Sequence, residues 1–260
     1  MNLSIKGPSK LMAVIVYLLA YALIGALFVL LATGIAGAIN GAGFARCISL
    51  YANSAYTKNL ATLTSNEISA YYTGNGIGNA LTYLFMSFGV LFYMRDDFKN
   101  DFISIKEKPK FYSIYIPLTA ILFAAIAVLL SILFSKITES SANQELIENI
   151  LKYSGAIPMI ISTVLLAPIV EEAIYRKCIF HYLINRYPVW VSYLVSTILF
   201  ALPHMITTST SFGNWCLIAL PYLIDGAMLA AIYHLSNKNI YASIAAHMLN
   251  NLIAVILVFI

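Results

Sequence analysis

The chain has 260 residues, 61% hydrophobic and 10% charged, with a net charge of +4 and a mean hydropathy of +0.84. That balance excludes a soluble globular domain and describes a polytopic membrane protein. The basic residues form no patch with interleaved aromatics, so no nucleic-acid partner is expected, and the positive excess is assigned to topology and to membrane lipids with anionic headgroups.

Apolar runs near twenty residues fall at Leu11–Leu31, Ile77–Met94, Phe111–Phe134, Ala156–Arg186, Val189–Ile206, Trp215–His234 and Ile240–Ile260. They predict an all-α, polytopic transmembrane helix bundle of about seven spans, because backbone polar groups in lipid must be satisfied within their own segment. The first run follows Lys6 and Lys10, and small residues around Ala36 to Ala45 imitate a cleavage site. Its apolar core is too long for a signal peptide, so it is read as a retained span. Residues 40–76 read as an outer segment rich in Tyr, Asn, Ser and Thr, and residues 95–110 as a charged inner loop. Residues 137–152 place Leu146, Ile147, Ile150 and Leu151 opposite Glu145, Glu148 and Lys152, which predicts a helix along the membrane interface. Cys47, Cys178 and Cys216 are odd in number and lack CxxC spacing, so neither a disulfide framework nor a thiolate metal site is expected.

Lys and Arg in the connecting segments set the orientation. With the N-terminus cytoplasmic, the inner side holds Lys6, Lys10, Arg95, Lys99, Lys106, Lys108, Lys110, Arg176, Lys177, Arg186 and Lys238, and the outer side Arg46, Lys58, Lys136 and Lys152. Eleven against four favours that arrangement for a multi-pass protein of the cell membrane.

Charge inside a span is rare and usually functional. Glu67, Asp96, Asp97, Asp101, Glu107, Glu139, Glu145 and Glu148 read as loop residues, whereas Glu171, Glu172 and Asp225 fall inside apolar runs. Glu171 and Glu172 stand together in AIPMIISTVLLAPIVEEAIYR, too deep to serve as packing. Asp225 is read as bonding a neighbouring helix and is left outside the site. His204 and His247 also fall inside apolar runs, while His181 and His234 lie near helix ends and read as structural.

Depth links these groups. A helix over Ala156–Arg186 would be ~46 Å long at 1.5 Å per residue, against a hydrocarbon core of ~30 Å. Tyr187 and Pro188 then reverse the chain, and counting back from that turn places Glu171 and His204 at one level, with His247 ~10 Å into the last helix. His247 and Asn251 are four apart and share a face, as do Glu172 and Arg176, which can pair. Glu171 is rotated about 100° from that pair and is free to take a proton. Pro168 frees a carbonyl and is expected to bend the helix so that water reaches this level.

EEAIYR (Glu171 to Arg176) fits EExxxR, FALPH (Phe200 to His204) fits FxxxH, and HMLNN (His247 to Asn251) fits HxxxN. In order and spacing these resemble the CAAX protease and bacteriocin-processing family of intramembrane proteases, also called Abi proteins. The resemblance covers roughly residues 155–255. It divides the chain into N-terminal transmembrane helices and loops, 1–154, and a family-like catalytic core, 155–260.

The resemblance implies an intramembrane endopeptidase acting on a peptide or protein substrate. Glu171 would be the general base, His204 would hold the water, and His247 with Asn251 would stabilise the oxyanion. Glu172 and Arg176 would form a supporting ion pair, and Phe200 would pack against the site. Glu171, His204 and His247 can equally form a divalent-metal set such as catalytic zinc prefers, or hold a water without metal. A proton- or ion-coupled transporter and a catalytically silent membrane scaffold are the rival readings. Relatives of this kind cleave prenylated tails, mature secreted peptides or confer bacteriocin self-immunity. The Ile-, Asn-, Lys- and Tyr-rich usage favours peptide maturation or immunity.

Overall fold

The computed structural model describes residues 7–58, 60–134 and 140–260. Lys6, Lys136, Glu139 and the start of the interfacial segment at 137 lie outside the described residues. The chain is helical, and no strand occurs among the described residues. Among the described residues ten helices of six residues or more follow one another: α1 (Gly7–Ile39), α2 (Phe44–Ala52), α3 (Ser65–Tyr93), α4 (Arg95–Glu107), α5 (Pro109–Phe134), α6 (Ala142–Ile150), α7 (Ala156–Ile184), α8 (Val189–Met205), α9 (Phe212–Leu235) and α10 (Ile240–Val258). Six of them, α1, α3, α5, α7, α9 and α10, are long and apolar enough to cross a membrane, and α8 is a shorter apolar helix. This is a multi-pass membrane protein with close to the expected number of spans. Apolar side chains of α1 and α5 stay uncovered, Leu23 by 70% and Ile121 by 62%, as lipid-facing helices require.

Several boundaries differ from the sequence reading. The segment 40–76 is not a loop: it contains α2, a turn of helix at Ala55–Lys58 and the first three turns of α3. Its Tyr, Asn and Ser content hid the helix by breaking the apolar run. Residues 95–107 likewise form α4, whose charges obscured it, and Pro109 already begins α5. Arg176 and Lys177 are buried in α7, so they are not loop charges. Nine basic residues then remain on the side expected to be inner, against four.

The chain divides into two compact units. The smaller comprises Tyr17–Phe88 and Leu146–Ala167. Here α3 lies close against α1, since a Cβ at Gly74 would run into the Thr33 backbone. Arg46 Nε donates to Glu67 Oε1 at 2.8 Å, so Glu67 is a buried partner and not a loop acid. The apolar face of α6 packs on protein: Ile150 is buried with Tyr72 and Met159, and Leu146 and Ile147 lie against them. Ser162 Oγ donates to Asn79 at 2.6 Å.

The larger unit takes the described residues of Met1–Val16, Gly89–Glu145 and Pro168–Ile260. Tyr112 and Tyr115 of α5 donate their hydroxyls to the carbonyls of Ser236 and Ile232, each at 3.1 Å. Pro188, at φ −53°, turns the chain from α7 into α8. Ser211 caps α9 and Asn239 caps α10, each accepting a backbone N–H from the first turn, the expected role of short polar side chains there. His181 and His234 are structural: His181 Nδ1 lies 3.0 Å from the Tyr233 hydroxyl, and His234 Nδ1 lies 3.1 Å from that of Tyr193.

Candidate active site

α7 departs from regular geometry twice, widening to i→i+5 bonding over Ser162–Leu166 and Ala173–Phe180. Pro168 has no N–H for the carbonyl four residues back, that of Val164, which lies within the first wide stretch. The second begins directly after Glu172. Wide turns of this kind frequently accompany functional positions, and here they flank both carboxylates.

Glu171 and Glu172 are 6% and 0% exposed. Glu172 accepts from Arg176 Nε at 2.9 Å through Oε2 and from His247 Nδ1 at 3.1 Å through Oε1. Arg176 donates Nη1 to Ser196 Oγ at 3.0 Å, and Ser196 in turn donates to the carbonyl of Tyr175 at 3.2 Å. Among the described residues Arg176 Nη2 has no hydrogen-bond partner. The guanidinium carbon lies 5.1 Å from the Phe200 ring centroid, so the ring face also meets the charge. Removing Arg176 would leave a buried carboxylate without its counter-ion, the costly situation in low dielectric.

His247 bridges both acids. Its Nε2 lies 3.9 Å from Glu171 Oε2, within ionic reach but too long for a hydrogen bond. Phe200 is buried between the two histidines, its ring 5.3 Å from that of His204 and 5.8 Å from that of His247. His204 Nδ1 bonds the Phe200 carbonyl at 3.0 Å. A carbonyl only accepts, so Nδ1 carries the proton and Nε2 keeps a lone pair. Glu171 and His247 both lie within electrostatic reach of His204. Asn251 follows His247 by one turn of α10, half-buried.

The structure thus brings Glu171, Glu172, Arg176 and His247 into one buried cluster, with His204 across Phe200 from it. Among the described residues no three His, Cys, Asp or Glu side chains are grouped closely enough to hold one ion.

Sequence reading missed three supports. Ser196, on α8, gave no signal beyond being polar in an apolar run. Tyr222 of α9 stacks on His204 at 4.8 Å and 26°, and its hydroxyl lies 2.7 Å from Ser141 Oγ. Lys177, next to Arg176, is buried against Asp101 at 2.7 Å and also donates to the carbonyl of Lys238 at 3.1 Å. Asp101 further accepts the Ile240 N–H at 2.7 Å, tying α4 to the start of the helix that carries His247. Burial pushes the Asp101 carboxyl up, against the pull of Lys177 and of that N–H.

Buried Glu and His side chains converge here on apolar helices of a multi-pass membrane protein, and ionisable groups in such helices mark a functional site. Residues 153–253 match the family model described as type II CAAX prenyl endopeptidase Rce1-like, the CAAX protease family that the three motifs resemble. The likeness, at family level, is to a protease working within the membrane, and the matched segment contains every residue of the three motifs. No curated protein matches the chain. No solved structure matches it.

Proposed function

We propose that this chain is an intramembrane endopeptidase that hydrolyses a peptide or membrane-associated protein with Glu171 as general base. The observation that carries this reading is the division of labour between adjacent acids. Glu172 is held by Arg176 on one oxygen and by His247 on the other, and Glu171 lies 3.9 Å from His247 Nε2, facing the other nitrogen of the same ring.

In the proposed reaction Glu171 takes a proton from a water that His204 Nε2 helps to hold. The water oxygen bonds the scissile carbonyl carbon, and the carbonyl π pair moves onto oxygen. As an imidazolium, His247 donates Nδ1–H to Glu172 and Nε2–H toward that oxyanion, with Asn251 as a second donor. Collapse breaks the C–N bond, and the proton held by Glu171 passes to the leaving amine. The gap between Glu171 and His247 is the natural seat for the reacting atoms.

Peptide maturation or bacteriocin self-immunity is the role we assign, in a membrane orientation with the N-terminus cytoplasmic. The test is membrane peptidomics of cells carrying the wild-type chain or Glu171→Ala. A peptide product that disappears in the variant while the protein still accumulates supports the reading. Identical peptide profiles would remove it.

A further inference from the structure

Asp225 is an acid inside the α9 span that the mechanism above does not use. It lies three residues after Tyr222, and Gly226 lies four after, so each is a neighbour of Tyr222 on the surface of α9. That surface is a wall of the site. Tyr222 stacks on His204, and a Cβ at Gly226 would meet Phe200 Cδ1 at 3.2 Å and the Thr197 backbone at 3.3 Å. Asp225 is half-buried there, within electrostatic reach of His247.

Among the described residues no hydrogen bond or ion pair reaches the carboxylate, and His247, the charged neighbour within electrostatic reach, already gives Nδ1 to Glu172. An ionisable group within a span is costly and normally finds a partner in its own bundle. A neutral donor from a substrate would satisfy a lone pair without neutralising the charge, whereas a cation does both.

We propose that Asp225 is a specificity-determining residue that receives a Lys or Arg side chain of the substrate beside the scissile bond. The inference rests on the endopeptidase reading. It makes the substrate a peptide carrying a basic residue within reach of a membrane-embedded site, drawn in by a carboxylate that no described residue pairs.

The experiment uses the full chain in liposomes with internally quenched peptides that differ only in carrying Lys, Gln or Glu at each position around the cleavage point. Wild type, Asp225→Asn, Asp225→Glu and Glu171→Gln are compared. Wild type should favour Lys at one position, and Asp225→Asn should lose at least ~30-fold in kcat/KM on that peptide while changing about 3-fold or less on its Gln counterpart. Asp225→Glu, which keeps the charge, should keep the preference, so a folding defect in Asp225→Asn does not decide the matter. Equal losses on Lys and Gln peptides, or no basic preference in wild type, would overturn the inference while leaving the endopeptidase reading intact. Absence of any Glu171-dependent cleavage would remove both.

Discussion

Arg176 and Glu172 form a fully buried ion pair at 2.9 Å, four residues apart on a helix that widens between them. The second oxygen of Glu172 holds His247 on another helix. The pair therefore has two tasks, neutralising a charge in low dielectric and fixing the ring that faces Glu171.

Arg176→Ala should reduce membrane abundance as well as activity, since breaking a buried pair costs ~3–5 kcal/mol. Arg176→Lys keeps the charge but cannot reach both Glu172 and Ser196 with the geometry of a planar fork, so it should fall between. Quantitative blotting of membrane fractions with thermal scanning in detergent checks this. Wild-type abundance in Arg176→Ala would remove the supporting role.

The adjacent acids should separate cleanly on mutation. Glu171→Gln should cut product formation by ~10²–10⁴-fold, the range for a general base, with the protein still accumulating. Glu172→Gln should instead lower thermal stability, because it strips the charge that answers Arg176 and loosens His247. Loss of stability in Glu171→Gln with none in Glu172→Gln would reverse the assignments.

The all-helical membrane fold was legible because apolar runs of span length have one solution in lipid. α2, the start of α3 and α4 were not, since their helices are held by partners distant in sequence, such as Arg46 with Glu67 and Lys177 with Asp101, and not by an apolar run. At the site, the i,i+4 pairing of Glu172 with Arg176 followed from spacing. The grip of Glu172 on His247 did not, because spacing along one helix does not say which residue of another helix packs opposite. Ser196 and Tyr222 were silent for the same reason: a lone polar residue on an apolar helix gains meaning only from what packs opposite.

Asp101 offers a test by pH. Burial raises its carboxyl above the ordinary range, so its contribution to stability is full below the unfolded-state value and is lost as pH rises through the folded-state value. The thermal stability of wild type relative to Asp101→Asn should therefore grow as the pH is lowered from neutral toward the acid range. A difference that shrinks on acidification would mean that the Lys177 pairing outweighs burial.

Orientation can be read by labelling. In a background with Cys47, Cys178 and Cys216 replaced, a single cysteine at exposed Lys106 should react with a membrane-impermeant thiol reagent only from the cytoplasmic side, and one at exposed Thr210 only from the outside. The opposite pattern would invert the proposed topology.

Gly226 tests whether the packing of α9 on α8 sets the site. A Cβ there would sit 3.2 Å from Phe200 Cδ1 and 3.3 Å from Thr197 Cα and its carbonyl oxygen, tight but within what a small shift relieves. Gly226→Ala should then keep most activity, the more so because alanine favours a helix interior by ~1 kcal/mol over glycine. Gly226→Leu cannot be accommodated against backbone, and overpacking of this kind costs ~1–3 kcal/mol and displaces neighbours. The neighbour displaced is Phe200, whose ring lies between His204 and His247 and against Arg176. Activity should fall at least ~10-fold beyond any loss of abundance, because a misplacement of about 1 Å at the reacting groups can cost ~10²-fold. Product formation normalised to membrane protein distinguishes the two variants. Equal activity of Gly226→Leu and wild type would show that the α8–α9 contact does not position the histidines.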